Sequence, residues 1–310
     1  MHRKPQFIYN AFGLSVTSDF HCSELPSSSK TIYDVKIVKG IIPVDSVKCD
    51  NRIFVPGVIF QATSDTLLLH VDSVARFLIS NGNKIVVEPF PDADPDLVRL
   101  FLFGSAFGAL LFQRGVLPLH GCSIVTPHGA ILCVGHSGYG KSTLAGVFHQ
   151  RGYPVLSDDV SAVTSVDGIP HILPSYPRIL LWEDSMAHIG MDNDGLKLAH
   201  ARENKYQVPV NSTFNSEPTP LHAIYVINPG TDPAIAINPL DGFAKIHSLT
   251  EHTYRGQFLE AMQLTTQHFT QINAVARHAR ICWVDRPIDT SKIEEVANRI
   301  EEDFLREAAR

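Results

Sequence analysis

The sequence is poor in cysteine, and its cysteines form no recognisable site. The 310 residues include only Cys22, Cys49, Cys122, Cys133 and Cys282. Their number is odd, they are widely spaced, and none belongs to a C-x-x-C pair. This pattern excludes a disulfide framework, a cysteine-ligated zinc site and dithiol redox chemistry as leading interpretations. Free thiols in a reducing compartment fit it best, so we expect a cytoplasmic protein.

Two further absences concern charge and hydrophobic runs. Lys and Arg number 26 against 32 Asp and Glu, and this net charge of −6 leaves no basic face for a nucleic-acid partner. The longest uncharged apolar stretch, residues 100–112, is shorter than the roughly 20 residues that cross a bilayer. The basic N-terminal residues precede no apolar block. We therefore expect neither export nor membrane anchoring.

The most informative segment that is present is a glycine-rich loop between two apolar runs. Residues 135–143 read GHSGYGKST, with AILCV before them and LAGVF after them. A strand, a G-x4-G-K-[ST] loop and a helix in this order are typical of a phosphate-binding loop. An ordinary glycine turn is the simpler alternative, but chance gives this motif in roughly one chain in a hundred of this length.

The chemistry of the loop favours a nucleoside triphosphate. Glycines let successive N–H groups turn inward, and the N-terminus of the following helix adds a positive end. Lys141 would reach the terminal phosphates, and the Ser142 hydroxyl would ligate Mg²⁺. We expect the loop to bind ATP through Gly135, His136, Ser137, Gly138, Tyr139, Gly140, Lys141, Ser142 and Thr143.

Two neighbouring segments carry further candidate catalytic groups. Asp158 and Asp159 end a short apolar strand 17 residues after Lys141. One carboxylate could hold Mg²⁺ while the other accepts a proton from an attacking hydroxyl, although an acidic turn or helix cap would also explain the pair. His120 ends the strand before the one that leads into the loop. A lone histidine is usually structural, but beside a carboxylate it could tune the base.

Element patterns predict two domains. Short β-branched and aromatic runs separated by turn residues indicate a strand-rich N-terminal domain over residues 1–92. A boundary at residues 91–95 leads to a buried helix over residues 95–114, and alternating strands and helices follow, which indicates an α/β catalytic domain over residues 93–310. A final helix over residues 291–307 has a capping box of Ser291 and Glu294.

Three segments together resemble a known family. LHGCSIV, VGHSGYGKSTLA and GYPVLSDDVSAV are similar to the C-terminal catalytic domain of HPr kinase/phosphorylase, whose fold is shared with ATP-dependent phosphoenolpyruvate carboxykinase. Weaker similarity further along the chain, as in KYQVP, resembles the HPr-kinase-like tailoring kinases of lasso peptides. The resemblance implies an α/β fold with a P-loop kinase domain of this type, and homo-oligomers are known in the family.

The family's residue roles transfer one at a time. Asp158 matches the general base, His120 a histidine near that carboxylate, Lys141 the P-loop lysine, and Asp159 an acidic metal-site neighbour of Ser142. Arg255 resembles a recurrent position that would contact phosphate or substrate, although a surface arginine is an equal alternative. HPr kinases usually have Asp and Glu where this loop has His136 and Thr143, which points away from HPr as the substrate.

The sequence therefore predicts an ATP- and Mg²⁺-dependent kinase for a serine or threonine hydroxyl on a peptide, most simply a lasso-peptide precursor. Two alternatives stay open: a kinase of an HPr-like carrier protein or a small metabolite, and a sensor or assembly factor that binds ATP without transferring phosphate. The strand-rich domain could also recognise an extended peptide.

Overall fold

The computed structural model describes residues 7–43, 45–47, 53–199 and 204–306, so Cys49 and Glu307 lie outside the described residues. The chain divides into two compact units. The first comprises Met1–Pro118 and Arg255–Thr270, and the second comprises Leu119–Tyr254 and Gln271–Arg310. This division differs from the expected boundary at residues 91–95, because the helix that follows those residues packs within the first unit.

The first unit is built on one eight-stranded sheet, with the strand-rich character expected of this part of the sequence. Its strands are β1 (Phe7–Ala11), β2 (Leu14–Ser18), β3 (Val35–Lys39), β4 (Ile53–Val55), β5 (Val58–Ala62), β6 (Thr66–Val71), β7 (Ala75–Ser80) and β8 (Lys84–Pro89). Their order is β1-β2-β3-β8-β7-β6-β5-β4. In β7 the side chains of Ala75, Phe77 and Ile79 are buried and alternate with less buried ones, so one face of the sheet meets the core.

A long apolar helix supplies the rest of that core. It consists of α1 (Pro95–Phe101), a π-helical segment (Leu102–Ala106) and α2 (Phe107–Gln113). The Asp94 carboxylate accepts the Asp96 N–H at 2.9 Å and caps the start. The helix has 19 residues and is therefore longer than the uncharged apolar stretch of residues 100–112. By length and composition alone, it is apolar enough to cross a membrane. A share of 61% of that span is buried inside the structure, as in a core helix.

The second unit is a mixed α/β structure with two sheets, so the predicted α/β class is confirmed. Its strands are β9 (Leu117–Thr126, from Leu119 onward), β10 (Gly129–Val134), β11 (Val155–Ser157), β12 (Val160–Val166), β13 (Ile169–Leu173), β14 (Arg178–Trp182), β15 (Lys197–Leu198), β16 (Lys205–Pro209), β17 (Thr219–Gly230), β18 (Ala236–Pro239) and β19 (Arg280–Pro287). The larger sheet has the order β10-β9-β12-β13-β17-β19-β18, with β11 beside β9, and β14-β16-β15 form the smaller one.

The long strand β17 organises the larger sheet. It pairs in parallel with β10 on one side and with β19 on the other. The remaining helices are α3 (Lys141–Gln150), α4 (Glu183–His188), α5 (Phe243–Glu251), α6 (Phe258–Ala261, in the first unit), α7 (Thr265–His278, which runs from the first unit into the second) and α8 (Ile293–Arg306). Helices α3 and α8 share one apolar core with β10, β17 and β19. The carboxyl ends of three parallel strands therefore meet at one edge of the sheet, where ligand sites of α/β proteins lie.

The start of α8 differs from the predicted capping box. The Asp289 carboxylate accepts the Ser291 N–H at 2.9 Å, and a 3₁₀ turn over Thr290–Lys292 precedes the helix. Ser291 is therefore inside the turn rather than at the cap. Glu294 pairs instead with Arg151, the residue directly after α3, at 2.6 Å.

Phe304 anchors α8, and its neighbour provides a matched control. Phe304 is fully buried and packs on Phe148 and Tyr153, whereas Leu305 is 44% exposed. We expect Phe304→Ala to lower the free energy of unfolding by about 3 to 5 kcal/mol, because it leaves a cavity in a closed core. Leu305→Ala should cost less than about 1 kcal/mol. Urea denaturation measures both, and equal losses would contradict this packing.

Candidate active site

The glycine-rich loop joins β10 to α3 and depends on two of its glycines. A Cβ atom on Gly135 would lie 2.8 Å from the Ile227 carbonyl oxygen of β17, so a side chain has no room there. Gly140 is the residue before α3 and has a φ of +91°, a left-handed conformation that favours glycine. The sequence folds into this loop because β17 passes close to its start and α3 begins directly at its end.

Lys141 is the first residue of α3 and is almost completely buried. Its ammonium donates to the His136 carbonyl oxygen at 2.9 Å, within the loop itself. Burial lowers the pKa of Lys141, and Cys122, Asp159 and Asp158 oppose that shift. The ammonium thus lies in a poorly hydrated position where an anion would be bound more strongly than at the surface.

Asp158 is buried directly beneath the loop. The Ser142 hydroxyl donates to its Oδ1 at 2.8 Å, and the Leu180 N–H of β14 donates to its Oδ2 at 2.7 Å. Burial raises the pKa of Asp158, while Lys205 and these two hydrogen bonds lower it. The structure therefore brings together Ser142 and Asp158, which are both hard oxygen donors.

Asp159 occupies a different position, with its side chain 36% exposed. Its φ is +69°, and the Val160 N–H closes a tight turn around it by donating to the Asp158 carbonyl oxygen at 2.9 Å. An aspartate held in this uncommon conformation at a cleft is the kind of strain found at functional sites. The turn aims the Asp159 carboxylate into the open cleft and not into the protein interior.

His120 is paired with Asp159. Its Nδ1 lies 3.0 Å from the Asp159 carbonyl oxygen and 3.4 Å from Oδ1 of the same residue. A carbonyl oxygen can only accept, so Nδ1 carries the proton and Nε2 of the neutral ring is an acceptor. Burial lowers the pKa of His120, and Asp159 partly opposes this. The ring is therefore neutral near pH 7.

The His136 side chain contacts Tyr139 within the loop, edge-on at a centroid distance of 5.3 Å, and also reaches groups outside the loop. Its Nε2 lies 2.9 Å from Glu251 Oε1, and its ring packs edge-on against His252 at a centroid distance of 5.3 Å. His252 is buried, and its backbone carbonyl accepts the His120 N–H at 2.8 Å. Burial lowers the pKa of His252 to about 4.

An open cleft lies over these groups, with an empty volume of about 710 Å³ that includes solvent-exposed space. This is within the usual size of small-molecule sites. Of the predicted residues, it is lined by His120, Ser137, Gly138, Gly140, Lys141, Ser142, Thr143 and Asp159. Gly135, His136, Tyr139 and Asp158 are not among the lining residues. Arg255 belongs to the first unit, so its contact with phosphate or substrate stays a prediction.

The sequence analysis missed several residues that line the cleft: Trp182, Ser185, His188, Lys205, Arg286 and Thr290. The Lys205 ammonium lies 5.6 Å from the Trp182 ring, across the paired strands β14 and β16. Counted from Thr143, these residues lie from 39 (Trp182) to 147 (Thr290) positions further along the chain, so only the fold brings them to the loop. The KYQVP segment contains Lys205, and Arg286 follows the apolar run ICWV after one intervening residue.

Comparisons with known proteins give limited information. No protein-family model and no curated protein matches the chain. Among solved structures, the chain is similar to the HPr(Ser) kinase/phosphatase from Coxiella burnetii, with 12% identity and a TM-score of 0.34, over 61% of this chain and 98% of that one. The function proposed below therefore rests on the geometry of the site in this chain.

The pKa of His252 predicts how stability depends on pH. The folded-state value of about 4 lies below the ordinary 6.5, so the unfolded chain binds the proton more strongly between these values. Stability should therefore fall as the pH decreases from about 6.5 to 4. His252→Gln should make that fall shallower, whereas His278→Gln, at an exposed position of α7, should leave it unchanged. Melting temperatures at pH 7 and 5 decide this, and identical slopes in all three proteins would contradict it.

Proposed function

We propose that this protein is an ATP- and Mg²⁺-dependent kinase that phosphorylates a hydroxyl group. One observation carries the proposal: Lys141, Ser142 and the Asp159–His120 pair line a single cleft of the second unit, with Asp158 hydrogen-bonded to Ser142 behind them. Cation, metal ligands and a proton acceptor are the groups that phosphoryl transfer requires.

The loop and Lys141 would bind the phosphates of ATP. The N-terminus of α3 points its free N–H groups toward the cleft, and the buried ammonium is adjacent. On binding ATP, Lys141 would exchange the His136 carbonyl for phosphate oxygens that carry negative charge. Because these donors are already in place, they stabilise the charge that spreads over the transferring phosphoryl group.

The residues present also fit a magnesium ion. Ser142 Oγ and Asp158 Oδ1 are 2.8 Å apart, and Mg²⁺ prefers such oxygen donors. Among the residues that the structure describes, no group of three His, Cys, Asp or Glu could hold a metal ion, so phosphate oxygens and water would complete its shell. When bound, Mg²⁺ would neutralise charge on the phosphates.

Asp159 and His120 would act on the acceptor hydroxyl. This assignment exchanges the expected roles of the two aspartates, because the resemblance gives Asp158 as the base and Asp159 as the residue near the metal. Both oxygens of Asp158 are already hydrogen-bonded and buried, whereas Asp159 reaches the cleft. The Asp159 carboxylate would take the proton of the acceptor hydroxyl while the hydroxyl oxygen forms a bond to the γ-phosphorus. The bond from that phosphorus to the bridging oxygen breaks, and ADP leaves. His120 Nδ1–H holds Asp159 in orientation.

For the acceptor we propose a serine or threonine hydroxyl of a peptide, on the resemblance to lasso-peptide tailoring kinases. Purified protein incubated with γ-labelled ATP and Mg²⁺ should transfer label to a lasso-peptide precursor. HPr and a panel of small hydroxyl metabolites serve as competing acceptors. Label on HPr with none on the peptide would contradict the proposed acceptor, and absence of transfer to every acceptor would favour an ATP-binding sensor.

Substitutions of Asp159 and Asp158 should affect different steps, catalysis in one case and Mg²⁺-dependent ATP binding in the other. Asp159→Asn keeps the shape of the side chain but removes the base, so kcat should fall by about 10² to 10⁴ while the affinity for Mg²⁺–ATP changes little. Asp158→Asn should instead weaken the Mg²⁺-dependent part of ATP binding. Initial rates and calorimetric affinities for both variants test this assignment. If Asp158→Asn lowers kcat and Asp159→Asn weakens Mg²⁺-dependent ATP binding instead, Asp158 is the base.

A further inference from the structure

Arg286 carries a buried positive charge that the proposed mechanism has not used. The residue is 2% exposed and lies near the end of β19, next to Pro287. Its Nη1 donates to the Pro287 carbonyl oxygen at 2.6 Å and its Nη2 to the Tyr139 carbonyl oxygen at 3.0 Å. Its Nε is buried without a hydrogen-bond partner.

No carboxylate in the described part of the chain compensates this charge. Both bonds of the guanidinium go to neutral carbonyl oxygens, and burial alone lowers the pKa of Arg286, with no acidic side chain opposing the shift. Two other part-buried arginines of the second unit, Arg151 and Arg280, are paired with carboxylates. Arg280, for example, forms an ion pair with Asp303 at 2.5 Å. Burying an unpaired guanidinium is costly, and proteins retain one where an anion binds.

The position of Arg286 identifies that anion. Strand β19 lies parallel to β17, which lies parallel to β10, so Arg286 ends at the same sheet edge as the glycine-rich loop. The residue lines the same cleft as Lys141, and its Nη2 would be 3.5 Å from a Cβ atom on Gly140. Two nearly buried cations thus line one cleft, an arrangement suited to several adjacent negative charges.

We propose that Arg286 is a phosphate-binding residue, which holds the loop through Tyr139 and contributes its charge to the polyphosphate chain of the donor nucleotide. This inference rests on the proposed function, because it concerns the same ligand. A planar guanidinium with five donors can keep both carbonyl bonds and still offer several N–H groups to phosphate oxygens, whereas an ammonium with the same two bonds would have one donor left.

The test compares three variants of the full chain by calorimetric binding of ATP and of inorganic tripolyphosphate. Arg286→Met should weaken both ligands by about tenfold or more, the usual effect of losing a hydrogen bond to a charged group. Arg286→Lys keeps the charge without the fork and should lose less. Lys292→Met is the control, because it removes one positive charge from an exposed position of the neighbouring turn and should leave both affinities unchanged.

The possible results distinguish a failure of the proposed function from a failure of the role proposed for Arg286. If the wild-type protein binds neither ligand, the proposed function itself fails. If it binds them and Arg286→Met binds equally well, Arg286 is structural and only this inference is overturned. A loss for ATP without a loss for tripolyphosphate would also overturn it, since the contact would then be to the nucleoside. Should Arg286→Met fail to fold, the folded Arg286→Lys protein decides: weaker binding of both ATP and tripolyphosphate than in the wild-type protein supports the inference, and unchanged affinity for tripolyphosphate overturns it.

Discussion

The carboxylate of Asp158 connects the segments that form the site. One oxygen accepts from Ser142 at the start of α3, and the other accepts from the Leu180 N–H of β14. The backbone of the same residue closes the tight turn that presents Asp159 and, through it, His120. Because Asp158 is buried, each bond is strong, and losing either would leave part of a charge without a partner. The positions of loop, turn and histidine therefore depend on one residue, through its carboxylate and its backbone carbonyl.

The charged groups of the site are divided between the loop side and the turn side of the cleft. Lys141 and Arg286 are nearly buried cations that donate only to carbonyl oxygens of the loop and of Pro287. Asp158 is a buried anion that donors already satisfy, whereas Asp159 is open to the cleft. In the proposed reaction, the loop side would bind a polyanion and the turn side a neutral hydroxyl that loses a proton. These polar groups are already in place, so little reorganisation would accompany that reaction.

How far the sequence predicts this structure depends on the range of the interactions. The strand, loop and helix around Gly140 and Lys141 are local, so their spacing predicts them, and the nearby Asp158–Asp159 pair follows from the next strand. The division of roles proposed for the two aspartates does not follow from the sequence, because it rests on Leu180 of a distant strand and on the backbone φ of Asp159. Arg286 was missed for the same reason. The α8 cap was misplaced because Asp289 competes successfully with Ser291 for the N-terminal N–H groups.

If Ser142, Asp158 and the loop hold a metal-bound polyphosphate as proposed, Mg²⁺ must strengthen ATP binding. Calorimetric titration of ATP into the wild-type protein and Ser142→Ala, each with and without Mg²⁺, measures this. We expect Mg²⁺ to tighten ATP binding clearly in the wild-type protein and to have much less effect in Ser142→Ala, because the hydroxyl ligand is missing. Equal ATP affinity with and without Mg²⁺ in the wild-type protein would show that these residues hold no metal-bound polyphosphate.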